Sequence, residues 1–322
     1  MRVFLCEYVT SGGWRDRALP EQALPEALLL RDAILADLDG LPGIHPVLAY
    51  DDRLPEPGAD AVPVRGGDDP WLCWSDLARG ADVVWPVGPE TAGLYPRMVR
   101  MMIESGARLI GPSAEAAALA ASKLRTAEHL GAAGVPTAPT FPPDRVPSVL
   151  DGALVTKPET GAGGEDVRAW PDRSALPSAG AGLVVQPFMS GTPVSLTVLV
   201  RPDGAKLLTV NRIAVDHLLG LMTVTGVTVG GMRDEGGALA MLARQVVAAI
   251  PGLSGLVDIE VMLTPDGPVV MEIHARATAT YAGLHAALGI NPAAFLPELI
   301  RSGRPPGMPH LPPPLPVEVP IR

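Results

Sequence analysis

Cross-linking chemistry is nearly absent from this sequence: its 322 residues contain two cysteines, Cys6 and Cys73. A single distant pair supplies no disulfide framework and suits a reducing compartment. Aromatic residues are also scarce, at 4%, so Leu, Val and Ala have to fill any core. Positive charge is in deficit. A net charge of −10 argues against docking along a nucleic-acid backbone and makes any bound anion dependent on a few well-placed cations. No apolar run reaches membrane-span length, and the opening "MRVFLCEYVTSGG" reads as a short strand rather than the apolar region of a secretion signal. The expectation is a soluble cytoplasmic protein with no nucleic-acid or membrane partner. No GxGxxG follows the first strand-like run, which weakens a dinucleotide-binding reading. No Ser-His-Asp or Cys-His arrangement suggests a side-chain nucleophile.

What the chain does have is apolar material, 47% of residues, divided by 35 glycines and 36 prolines that read as turn punctuation. Its length predicts two or three modules. Residues 1–112 alternate strand-like runs ("RVFLCEYV", "HPVLAYDD", "ADVVWPVGPE", "ARLIG") with helical ones, as in a doubly wound parallel sheet. Residues 113–303 open on a helix capped by Ser113 and continue into strands arranged around two Pro-Asp-Gly turns. Residues 304–322, with eight prolines, are expected to lie extended on the surface or to be mobile.

The two Pro-Asp-Gly turns carry the functional signal. A three-residue hairpin loop at each would place Asp258 opposite His274 and Glu260 opposite Glu272 in one hairpin, and Thr197 opposite Thr209 and Ser195 opposite Asn211 in the other. Cross-strand partners share a face. Three carboxylates and one imidazole should therefore cluster, with Val257, Ile259, Val261, Met271 and Ile273 packing behind them. The other hairpin should pack Leu196, Val198, Val200, Leu208 and Val210 behind its polar face. Directly opposed acids repel each other, so the acidic face either points into water or holds a cation. Hard oxygen ligands favour Mg²⁺ over Zn²⁺. Upstream, Lys157 lies in the apolar run "ALVTKP" just before "ETGAGGED", whose Gly161, Gly163 and Gly164 allow backbone N–H groups to wrap an anion. A strand lysine, a glycine loop and a separate acidic face together describe nucleotide phosphates bridged by a divalent cation.

The order "SKLRTAEHLGAAGVPTAP", "LVTKPETGAGGEDV", "VVQPFMSGTPVS", "TVNR", "DIEVMLTPDGPVVMEIHAR" resembles the ATP-grasp superfamily over nearly the whole chain. The resemblance implies an α/β protein in which an amino-terminal parallel-sheet domain precedes two α+β subdomains that clasp ATP, with residues 125–190 as the smaller lid. It implies that Lys123 and Lys157 hold phosphates and that Gln186, Pro187, Phe188 and Met189 form the hinge against adenine. Glu260 and Glu272 would hold Mg²⁺, with Mn²⁺ as a substitute, and Asp258 would be an additional acid. Arg276, with Lys157, would stabilise the transferring phosphoryl group. Four positions depart from the family pattern: Ser122, Gln186, Pro193 and His274. The last stands where Asn is usual, as either a metal ligand or a structural residue. "LCEYVTSGG", "GPETAG" and "RATATYAGL" look most like tyramine–glutamate ligases of methanofuran and methylofuran synthesis. The activity implied is ATP-dependent amide formation between a small carboxylate and an amine by a homo-oligomer, expected to be a dimer. The alternative is an ATP-grasp-like binding or assembly protein with weakened catalysis.

Overall fold

The computed structural model describes residues 1–58, 60–161, 166–177, 182–301 and 303–321. The first sheet is parallel, in the order β3-β2-β1-β4-β5, from β1 (Arg2–Glu7), β2 (His45–Asp51), β3 (Asp60–Val64), β4 (Val83–Val87) and β5 (Arg108–Leu109). Its helices are α1 (Leu24–Asp39), α2 (Pro70–Arg79) and α3 (Leu94–Glu104). Both faces of this sheet are covered, so its strands read as unbroken apolar runs rather than alternating ones. Val3 and Leu5 of β1 join one core with Leu30, Ile34 and Leu38 of α1, while Phe4 and Cys6 join another with Trp74 of α2 and Met98 and Met102 of α3. Strand order reverses between β1 and β4, and in open α/β sheets the crevice beyond the strand ends at such a switch is where ligands bind. The loop that follows β4 there, Gly88–Gly93, reaches the site described below.

The remaining elements are α4 (Ala114–Ala120), α5 (Lys123–Ala132), β6 (Leu154–Pro158), β7 (Val167–Trp170), β8 (Leu183–Pro187), β9 (Thr192–Arg201), β10 (Gly204–Leu218), β11 (Leu221–Met232), α6 (Ala238–Ala249), β12 (Gly255–Thr264), β13 (Gly267–His274), α7 (Tyr281–Leu288) and β14 (Val317–Pro320). The second sheet runs β13-β12-β9-β10-β11-β7-β6-β8, with β14 also paired to β11. Helices α4 to α6 cover the face formed by Val194, Leu196, Val198, Val257, Ile259 and Ile273. The first sheet and the second share a core through α1 and α7, where Leu30, Ile34, Tyr281 and Leu284 meet Val227 and Val229.

Both hairpin loops are one residue shorter than predicted. Gly204 pairs with Arg201, and Gly267 pairs with Thr264, leaving two-residue loops. A slip of one residue would turn every side chain to the opposite face. In each hairpin a bulge absorbs it, because Leu208 and Met271 stand without a partner in the ladder. Beyond the bulges the expected pairs are in place: Thr197 with Thr209, Ser195 with Asn211, Glu260 with Glu272, and Asp258 with His274. The bulged residues are the ones that depart from expectation. Leu208 joins the opposite core, with Leu199 and Val227, and Met271 lines a cavity instead of packing behind the acidic face.

The tail also differs. It runs extended, but it is bound: Arg201 donates to the Pro306 carbonyl at 2.8 Å, Leu315 N–H to Ala287 O at 2.9 Å, and Val319 is buried opposite Val227. Prolines at the strand's edge are compatible with pairing on one side only.

Candidate active site

One cavity of about 670 Å³ lies between β6, the β8–β9 connection, the β10–β11 arm, the β12–β13 hairpin and the segment Arg276–Thr280. Its acidic wall is built by the bulged hairpin. Glu260, Glu272 and His274 each turn a ligand atom to a common point, all within 4.8 Å of one another. His274 Nε2 lies 3.2 Å from Glu260 Oε1 and 3.5 Å from Glu272 Oε1. Facing them, Lys123 is placed by the amino terminus of α5, which Ser122 caps by accepting from Arg125 N–H at 3.2 Å. The Lys123 ammonium sits 2.8 Å from Glu272 Oε2 and donates to the Gly161 carbonyl at 3.0 Å. The Glu272 contact is a close ion pair that occupies Oε2. Burial opposes the charge of Glu272, but Lys123 and neighbouring cations prevail and hold its carboxyl well below the usual range. Lys123 is in turn raised, Glu272 outweighing the cost of burial.

Asp258 is not part of that group. Its carboxylate is taken up by the hydroxyls of Thr197 and Thr280, each at 2.6 Å, and of Thr278. Asn211 extends this network, donating to Ser195 Oγ at 3.0 Å and Thr197 Oγ1 at 2.9 Å and accepting from Gly230 N–H at 3.1 Å.

Arg276 reaches the cavity from the strand end, and what fixes it is a residue that sequence reasoning passed over. Glu90, in the loop after β4, accepts from Arg276 Nε at 2.9 Å and Nη2 at 2.8 Å, and its Oε1 lies 3.1 Å from His274 Nδ1. Glu90 is 3% exposed. Burial would raise its carboxyl, but Arg276 and His274 pull it down to about 2. The same loop touches the glycine segment, where Ala92 N–H donates to Thr160 Oγ1 at 3.2 Å. The available signal was an acid directly after Gly-Pro at the end of a buried strand, at the sheet's switch point.

The predicted nucleotide residues Lys157, Gly161, Gln186, Pro187, Phe188 and Met189 all line the cavity, as do Met262 and Met271; Gly163 and Gly164 lie outside the described residues. Lys157, 8% exposed, makes no hydrogen bond or ion pair among the described residues, and burial lowers its pKa. Gln186 donates to Thr140 Oγ1 at 2.8 Å, while its buried Oε1 has no donor. A buried unmatched cation and an orphaned acceptor are each costly. An anionic ligand that also carries a hydrogen-bond donor would satisfy both, and a purine nucleotide is such a ligand. The Glu260, Glu272 and His274 set likewise fits one divalent cation. The lining also includes Glu26, Thr91, Thr278, Ala279, Ile213, Val227 and Ile321, a mixed polar and apolar set.

Comparison with known families gives the same architecture. The ATP-grasp domain family matches residues 120–280, half of the chain, and the pre ATP-grasp 3 domain matches residues 44–117. The chain belongs to the ATP-grasp family. Its fold is the ATP-grasp fold, a parallel-sheet domain followed by a curled antiparallel sheet. A protein assigned to the ATP-grasp superfamily from Archaeoglobus fulgidus superposes with a TM-score of 0.74 at 19% identity, over 92% of this chain and 87% of that one. An L-amino acid ligase from Bacillus licheniformis gives 0.65 at 17% identity, over 92% and 73%. The N5-carboxyaminoimidazole synthetase of Staphylococcus aureus, in complex with ADP, gives 0.62 at 14% identity, over 90% and 77%. No curated protein matches the sequence. Among the described residues no helix is long and apolar enough to cross a membrane.

Proposed function

We propose that the protein is an ATP-dependent carboxylate–amine ligase that forms an amide through an acyl phosphate. The observation that carries this reading is the pairing, across one cavity, of two buried lysines with a cation-binding acidic wall. Lys123 and Lys157 would neutralise the triphosphate, with Gln186 to Met189 against the base. Glu260, Glu272 and His274 would hold the divalent cation, Mg²⁺ or Mn²⁺, whose chemistry is to draw charge from the phosphate oxygens. Arg276, fixed by Glu90, would stabilise the phosphoryl group as a substrate carboxylate oxygen attacks the γ-phosphorus and ADP leaves. An amine then attacks the acyl carbon, the amide C–N bond forms, and phosphate departs with the carboxylate oxygen. The glycine loop after Lys157 would keep water from the acyl phosphate.

The mixed lining, with Glu26 and several apolar residues, would suit a small amino acid and an amine; glutamate with tyramine, as in furan-containing one-carbon carrier synthesis, is the pair we would try first. We place this activity in the cytoplasm, in a homodimer built from a domain of residues 1–112, an ATP-grasp domain of residues 113–303 with its lid at 125–190, and the tail. An ADP-release screen over amino acids paired with amines tests the proposal. Release that requires both an acid and an amine supports it. Nucleotide binding with no pair-dependent release would instead favour a binding or assembly role.

A further inference from the structure

His274 is oriented from behind as well as from in front. Glu90 can only accept, so the ring nitrogen facing it, Nδ1 at 3.1 Å, carries a hydrogen. Arg276 secures that carboxylate by two hydrogen bonds and keeps it ionised. Nε2 then points at Glu260 and Glu272, 3.2 and 3.5 Å away. Neighbouring ligands around an ion with bonds near 2.1 Å stand about 3 Å apart, so the spacing needs little contraction. A carboxylate behind a metal-binding imidazole is the arrangement that fixes both its tautomer and its orientation.

We propose that this site prefers a first-row transition cation, Mn²⁺ included, over Mg²⁺, with His274 Nε2 as a nitrogen ligand and Glu90 as the positioning residue. Mg²⁺ favours oxygen and keeps its waters, whereas divalent first-row metals accept imidazole readily. Mn²⁺ shares the carboxylate and phosphate chemistry of Mg²⁺ and binds most weakly of that series, so it is the strictest member to compare with Mg²⁺. The inference rests on the ligase reading only in expecting phosphates as additional ligands; the protein side of the site is complete without them. The competing possibility is an imidazolium whose Nε2 donates to Glu260 and Glu272 and only neutralises the acids.

Pulsed electron paramagnetic resonance separates the two. The full chain labelled with [¹⁵N]histidine is loaded with Mn²⁺, alone and with ADP. The expected result is a ¹⁵N coupling to Mn²⁺ in both samples that disappears in His274→Asn. The ratio of Mn²⁺ to Mg²⁺ affinity, from calorimetry, should fall roughly tenfold in that variant, and Glu90→Gln should weaken Mn²⁺ binding by about 10–100-fold while the coupling weakens or broadens. Bound Mn²⁺ without a ¹⁵N coupling in the parent, or an unchanged metal ratio in His274→Asn, would overturn the proposal. Because the coupling is also read without nucleotide, a failure of ADP to bind would count against the ligase reading and leave the metal assignment to be decided by the spectrum.

Discussion

The β9–β10 and β12–β13 hairpins share a turn sequence, a two-residue loop and a compensating bulge, yet they do different work. In the first, the polar face is neutral: Ser195, Thr197 and Asn211 bond one another, and the extra residue, Leu208, is buried in a core. In the second, the same backbone device presents Glu260, Glu272 and His274 to a cavity, and the extra residue, Met271, lines that cavity. Asp258 stands at the join, a charged residue of the second hairpin answered by hydroxyls from the first and from the Thr278–Thr280 segment. The difference shows how a site is made from a sheet. A face of neutral groups bonded largely to one another is structural, and one whose charges are left partly matched is a candidate for a ligand.

The contrast is broken most severely at Glu272. Glu272→Gln removes a proposed cation ligand and the partner of Lys123, and should lower metal-dependent ADP release by about 100-fold or more, on the order expected beyond that of losing a supporting residue alone. Its activity should fall far more than its melting temperature does; parent-like ADP release would return the acids to the status of a solvated face. Lys157→Ala comes next. Losing a charged phosphate contact should cost about 1.5–3 kcal/mol of nucleotide affinity, without loss of stability, because the cation removed is buried and unpaired in the free protein. Calorimetry with ADP reads the affinity, and an unchanged value excludes Lys157 from the site.

The two bulges offer a matched pair. Leu208→Ala should cost roughly 2–4 kcal/mol of stability in denaturant unfolding and leave nucleotide affinity near the parent's. Met271→Ala should do the reverse, weakening nucleotide binding severalfold with a smaller loss of stability. Equal effects of both on stability would erase the distinction drawn between the hairpins.

The smallest expected effect is in the acid limb of stability. Glu90 has a folded pKa of about 2, below its ordinary value of 4.5, so the folded state binds its proton more weakly than the unfolded chain does. Its contribution is thus present above pH 4.5 and is lost as pH falls toward 2. Glu90→Gln should lack this component in urea unfolding between those pH values. A variant with the parent's full pH dependence would show that the Glu90–Arg276 pair is not a source of stability.

Much of the architecture was legible because it depends on local pattern. Buried parallel strands read as apolar runs, and the Lys157 strand and its glycine loop stood out against their surroundings, whereas the pairing of Glu260 with Glu272 rested on a three-residue loop that the structure does not have. The loop length was misjudged, and the bulges at Leu208 and Met271 compensated for it; nothing in a strand's composition distinguishes a bulged residue from a paired one. Glu90 is one of 35 acidic residues and meets Arg276 across 186 positions, a contact set by how two domains pack. The tail runs extended as its prolines suggest, but its pairing was not legible, because Val317–Pro320 needs only one partner, the edge of β11.

The account's central claim is that the cavity holds a nucleotide through a divalent cation on the β12–β13 wall. Titrating the full chain with ADP by calorimetry, first with a divalent cation and then with EDTA, tests it most directly. The predicted result is a single binding event that weakens at least tenfold on chelation in the parent, with Glu272→Gln already as weak before chelation. Equal ADP affinity with and without the cation, or no ADP binding at all, would contradict it.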